Sequence, residues 1–219
     1  MIIFCKKTIN FLLGVTSFIA IVLFVLLKAS PTQAYWLSNV FHDKTFIYIL
    51  LPIYLFGNFF IDSSVSIIQI TKMKTRKAAI FFTLIQQILY AFIFITICFV
   101  LISVFTLLRF GKMTEMGLVE ILISYLTYLE EILLISNAAL MFRKSKIKRW
   151  QELAYVVTYG LVVLEVTMIS ELNMLLPIDI NLCFSWIFSR YEFAPIVLLV
   201  LNIMFVMRLM YKCSYEDIF

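Results

Sequence analysis

The run AAIFFTLIQQILYAFIFITICFVLISVFTLL, residues 78–108, carries no acidic or basic side chain from end to end. A hydrocarbon core about 30 Å thick is crossed by roughly 20 helical residues, so this run exceeds a straight crossing and calls for tilt or extension past the hydrocarbon. Lipid offers backbone groups no hydrogen-bond partner, which leaves the helix as the conformation open to an uninterrupted apolar segment. Working outward, runs at 11–27, 46–68, 117–142, 153–176 and 194–211 are likewise predominantly apolar, though most carry one or more charged side chains. Hydrophobic residues make up 63% of the 219-residue chain and charged ones 14%, and its mean hydropathy is +1.04, far from the makeup of a soluble domain. The expected architecture is an all-α polytopic membrane protein, a single domain over 1–219 with six transmembrane helices.

Lys6 and Lys7, the apolar stretch after them and Thr32-Gln33-Ala34 have the order of a signal peptide with a small-residue cleavage site. The apolar stretch is long for that role and is read as the first span. The distribution of Lys and Arg then orients the set: 13 of the 18 fall at the N-terminus, in 72–77, in 143–149 and at the C-terminal end. The other five are Lys28, Lys44, Arg109, Lys112 and Arg190, on the opposite connections. The positive-inside rule places both termini in the cytoplasm. The net charge of +5 is thereby a topology signal with some attraction to anionic headgroups, and no nucleic-acid partner is expected. Tyr35, Trp36, Trp150, Trp186 and Tyr191 fall where aromatic anchors sit at the two interfaces.

The inventory of reactive side chains argues against an enzyme. One histidine, His42, falls on an outer connection. Glu130-Glu131 invites comparison with membrane proteases bearing paired glutamates, but the following Arg and the intramembrane histidines of those enzymes are absent. Cysteine and histidine never cluster as zinc ligands do, so no metal site is expected. Cys5 and Cys213 lie on the reducing side, Cys98 within a span and Cys183 on an outer connection, which leaves no outer pair for a disulfide. Gly111-Lys112-Met113-Thr114 lacks both the upstream glycine and the hydroxyl residue after Lys of a phosphate-binding loop. The chain is expected to bind no cofactor and to have no catalytic residues; any ATP would sit on a partner.

Polar side chains within a span are costly and therefore informative. Glu130 and Glu131 fall near the middle of the fourth run and Glu165 near the middle of the fifth, while Asp62 lies toward the cytoplasmic end of the second and shares a face with Asn58. Ser124, Thr127 and Glu131 mark one stripe of the fourth helix and Glu130 with Asn137 an adjacent one, a broad polar arc that should face protein or water. On the fifth helix Thr158 and Glu165 repeat at seven residues, and Thr167 with Glu171 adds a second row. No Lys or Arg lies equally deep, so the acids are either protonated hydrogen-bonding groups between helices or the lining of a cavity for a cation or proton. Asn58, Asp62, Glu130, Glu131, Asn137 and Glu165 are the candidate path residues.

The connection Thr71, Lys72, Met73, Lys74, Thr75, Arg76 and Lys77 is short and strongly basic, and it runs directly into an apolar helix. It reads either as topology-setting charge or as a hairpin tip that a cytosolic partner grips. With this tip, six runs and an apolar but interrupted segment at 177–188, the chain resembles the permease subunits of bacterial type-2 ABC exporters, the kind that serve bacteriocin or peptide export and immunity. The resemblance covers the whole topology. It implies that Thr71 to Lys77 form a coupling helix docking on a separate cytoplasmic ABC ATPase. It also implies that 177–188 is a reentrant or interfacial element, and that a second permease subunit, identical or related, completes the path. The chain departs from that family in having only about ten residues before its first span, where such permeases often begin with an interfacial helix.

The leading expectation is accordingly a permease of the bacterial cell membrane, moving an amphipathic or peptide-like substrate. Two alternatives stand beside it. One is a proton-linked secondary transporter built as two three-span halves, and the other a non-transporting immunity or interaction protein.

Overall fold

Apolar runs this long form helix, and among the described residues every regular element is helical. The computed structural model describes residues 6–40, 45–64, 76–111, 118–143, 153–164, 167 and 194–215. In chain order the elements are α1 (Lys6–Ala29), α2 (Gln33–Val40), a π-helical stretch (Phe46–Leu50) that continues into α3 (Leu51–Ser64), α4 (Arg76–Phe110), α5 (Leu118–Arg143), α6 (Leu153–Leu164) and α7 (Ala194–Tyr215). At a rise of 1.5 Å per residue the 35 residues of α4 extend about 50 Å, more than a bilayer core. Two segments, Ile80–Phe110 and Ile121–Arg143, are long and apolar enough to cross a membrane, with mean hydropathies of 2.8 and 1.3.

Local chemistry explains several boundaries. Pro52 has no N–H and its ring crowds the carbonyl four residues back. The backbone just before it widens accordingly, and the Leu51 N–H donates to the Phe46 carbonyl five residues earlier. Gly111, with φ of 73°, takes the left-handed conformation that ends α4. Arg109, in the last turn of α4, donates to the carbonyl of Leu27 near the end of α1, filling a site that the last turn of a helix leaves open.

Contacts fix the relative directions. Arg109 on Leu27 and Phe24 beside Phe105 bring the C-terminal halves of α1 and α4 together, so these helices run parallel. Tyr54 stacks on Tyr90 while Phe46 and Phe99 both meet Tyr128, so α3 and α5 run opposite to α4. Ile80, Leu84, Leu140 and Leu209 form one cluster, which places the start of α4 with the ends of α5 and α7. Phe59 meets Tyr155 near the start of α6. Successive long helices therefore alternate in direction, and α3, α5 and α7 end where α4 and α6 begin. We call this the Arg143 end.

The main core joins α1, α2, α3, α4, α5 and α6 through residues such as Leu23, Trp36, Tyr54, Phe94, Ile132 and Val162. Large apolar side chains also cover the outside in continuous rows, Ile88, Phe92, Val100, Val104 and Leu108 on α4 and Ile196, Val200, Ile203 and Met207 on α7. Rows of that kind suit hydrocarbon and would be a liability in water.

Three features differ from the sequence expectation. Trp36 is not an interface anchor but is wholly buried, its Nε1–H donating to Thr106 Oγ1 at 2.9 Å; the segment expected as a plain connection folds as α2 and returns the indole to the core. Helix α1 takes in Lys6 and Lys7, ahead of the expected start at 11, and α4 starts at Arg76, within the expected basic connection. Helix α7 continues past 211 to Tyr215. Thr71 to Thr75, Glu165, Glu171 and 177–188 lie outside the described residues, and Asp62, Arg76 and Lys77 are placed on helices without a description of their side chains.

Candidate functional site

Hydroxyl and carboxamide side chains face different problems inside a bundle. Serine and threonine can donate back to a carbonyl of their own helix, and Thr127, Ser136 and Thr158 do so, onto Ile123, Ile132 and Ala154 at 2.7–2.8 Å. A carboxamide has two donors and an acceptor on a short stem and needs partners from elsewhere. Buried carboxamides and carboxylates are thus the informative polar groups, and apart from Gln33 on α2 they gather on two sides of α5.

On the first side is a closed network with α7. Asn202 Nδ2 donates to the Glu130 carboxylate at 2.7 Å and to the Glu130 backbone carbonyl at 2.9 Å. Its Oδ1 accepts from Asn137 Nδ2 at 2.8 Å. Glu130 is half-buried, and Asn137 and Asn202 are buried. One asparagine from α7 thereby bridges two turns of α5, with Leu134, Leu198, Leu201 and Phe205 packed beside it. The expected arc of Ser124, Thr127, Glu131 and Asn137 does face protein, since all four are buried.

On the second side is a polar and aromatic layer shared with α3, α4 and α6. The Tyr54 and Tyr90 rings stack at 5.0 Å with 16° between planes, and Phe94 meets Tyr54 edge-on at 5.3 Å. The Tyr54 hydroxyl and Ser136 Oγ share a hydrogen bond of 2.8 Å. One turn nearer the Arg143 end from this stack are Asn58 on α3 and Gln87 on α4, both wholly or almost wholly buried. Neither carboxamide atom of Asn58 completes a hydrogen bond, nor does the Tyr90 hydroxyl, and Gln87 reaches only the Tyr155 hydroxyl. Tyr155 of α6 neighbours Gln87, Tyr54 and Arg143, so the layer leads toward the Arg143 end.

The candidates thus separate. Glu130 and Asn137 belong to the α5–α7 network; Asn58 belongs to the second layer, and Glu131 is buried on α5. Asn202 and Gln87 escape a reading that looks for charged partners, although a lone asparagine or paired glutamines inside an apolar run are visible signals. Among the described residues no three His, Cys, Asp or Glu side chains converge as metal ligands would. Cys98 is buried among apolar neighbours. An open groove of about 480 Å³ between α1 and α3, lined by Gly14, Val15, Phe18, Pro52, Ile53 and Phe56, is almost wholly apolar.

Comparison with protein-family models, with curated proteins and with solved structures finds no match to this chain. The functional reading therefore rests on the chain's own residues.

Proposed function

We propose that this chain is a six-span protein of the bacterial cell membrane with both termini cytoplasmic, serving as the permease subunit of an ATP-driven exporter. In this reading it moves an amphipathic or peptide-like substrate, pairs with a second permease subunit and binds a separate ABC ATPase through Thr71 to Lys77. The observation that carries it is the division of the bundle. Helices of alternating direction present apolar rows outward and enclose buried carboxamides, a carboxylate and tyrosines, a polar interior with no use for a mere anchor. The Arg143 end, where α4 begins at Arg76, is then the cytoplasmic end by charge.

Capture of Glu130 by Asn202 weighs against the proton-carrier alternative, because a carboxylate that ties two helices together is poorly placed to release and rebind a proton at each cycle. The docking element is tested by charge reversal of Lys72, Lys74, Arg76 and Lys77 to Glu in the full-length chain. ATP hydrolysis that co-purifies with the tagged wild type should be lost. Unchanged co-purification overturns the dock.

A further inference from the structure

Each group in the Asn58, Gln87 and Tyr90 cluster could both give and accept hydrogen bonds, yet Asn58 and Tyr90 do neither and Gln87 has only the Tyr155 hydroxyl within reach. An unmet amide in a bundle interior is strongly unfavourable, and native proteins leave few such groups without a role. The cost is avoidable, because a leucine at either position would carry no polar group into the interior. The hydroxyls nearby escape it by back-bonding, as Ser136 and Thr158 do.

The three groups also lie within about one helical turn of one another along the bundle. Asn58 lies four residues past Tyr54 on α3 and Gln87 three before Tyr90 on α4. The helices are antiparallel and the two tyrosines stack, so both carboxamides are displaced toward the Arg143 end by about one turn. Tyr54, Tyr90 and Phe94 close the layer on the far side. Tyr155 and Arg143 stand on the near side.

We propose that Asn58, Gln87 and Tyr90 line a water-binding pocket entered from the Arg143 end. The Tyr54–Tyr90 stack is its floor. Water entering there satisfies the two carboxamides and the phenol at once, against the aromatic layer. Water suits this site because it both gives and accepts hydrogen bonds while adding no charge to the interior. The pocket deepens the transport reading on which it rests, since it makes this layer the hydrated, cytoplasm-facing half of the path.

The test uses full-length protein with Cys5, Cys98, Cys183 and Cys213 replaced by Ala, held in nanodiscs of phosphatidylethanolamine and phosphatidylglycerol. Cysteine is placed singly at Asn58 or Gln87, at the outward-facing Phe92, or at the buried apolar Ile132. The probe is aminoethyl methanethiosulfonate, which reacts with the thiolate and therefore needs water at the sulfur. The pocket predicts that positions 58 and 87 react about tenfold faster than positions 92 and 132. Rates no faster than these controls overturn it, and do so whether or not an ATPase binds.

A second measurement covers the chance that cysteine disturbs folding. The Asn58→Leu variant should melt no lower than wild type in the same nanodiscs, because it removes an unmet amide, and a clear fall in melting temperature overturns the pocket. Reactive cysteines with no co-purifying ATPase would leave the pocket standing and remove the exporter reading.

Discussion

Two polar centres flank α5, and similar side chains behave oppositely in them. Toward α7, Asn137, Asn202 and Glu130 are joined by hydrogen bonds of 2.7–2.9 Å. Toward α3 and α4, Asn58 and Gln87 are as deeply buried, Asn58 meets no partner and Gln87 meets only the Tyr155 hydroxyl. The contrast separates two uses of polarity inside a bundle. A satisfied network fixes which helices pack and in what register; an unsatisfied one stores a demand that only another conformation or a guest can meet.

The largest effect is expected where the satisfied centre is cut. Asn202→Leu leaves Asn137 Nδ2 and the Glu130 carboxylate and carbonyl without their α7 partner, which should cost about 2 to 4 kcal/mol in reversible unfolding from mixed micelles. A loss no larger than that of an outward-facing control such as Ile203→Ala would mean that the network does not hold α5 to α7. A double-mutant cycle with Asn137→Leu sharpens this, since the second substitution should add much less than it does alone.

Next in size is Tyr54→Phe, at the edge of the second centre. It removes the hydrogen bond to Ser136 but keeps the ring stack on Tyr90, and Ser136 still donates to the Ile132 carbonyl. The expected loss is about 1 kcal/mol in the same assay. A much larger loss would show that Tyr54 is held by more than one bond and that the two centres are less different than described.

The smallest effect is expected from Glu130→Gln. A carboxamide oxygen accepts from Asn202 Nδ2 as a carboxylate oxygen does, so stability should stay within about 0.5 kcal/mol. Substrate efflux from energised vesicles should also persist. Complete loss of that efflux with stability intact would move Glu130 from the structural network to proton coupling.

The sequence carried the helical character, the alternation of basic and less basic connections and the polar arc of α5, because each is a local or periodic property of an apolar chain. The inward orientation of Ser124, Thr127 and Glu131 followed from that periodicity. What each polar group meets did not follow. Asn202 lies 65 positions from Asn137 in the chain, and no local pattern pairs them. A search for cationic partners to the deep acids passes over a neutral asparagine that serves the same purpose. Gln87 is hidden by its position within the longest uncharged run, where hydropathy outweighs two amides. Trp36 was misplaced for a related reason. The interface preference of tryptophan is a statistical property of helix ends, whereas the α2 helix returns this indole to Thr106, a contact 70 residues away in sequence.

The comparison is tested most directly by melting Asn58→Leu and Asn202→Leu side by side with wild type in one membrane mimetic. Opposite signs are expected: Asn202→Leu melts well below wild type, and Asn58→Leu melts at or above it because leucine removes an unmet amide from the interior. A comparable fall in both would contradict the account, showing that Asn58 is tied into the fold as firmly as Asn202 and that the bundle has one kind of polar centre rather than two.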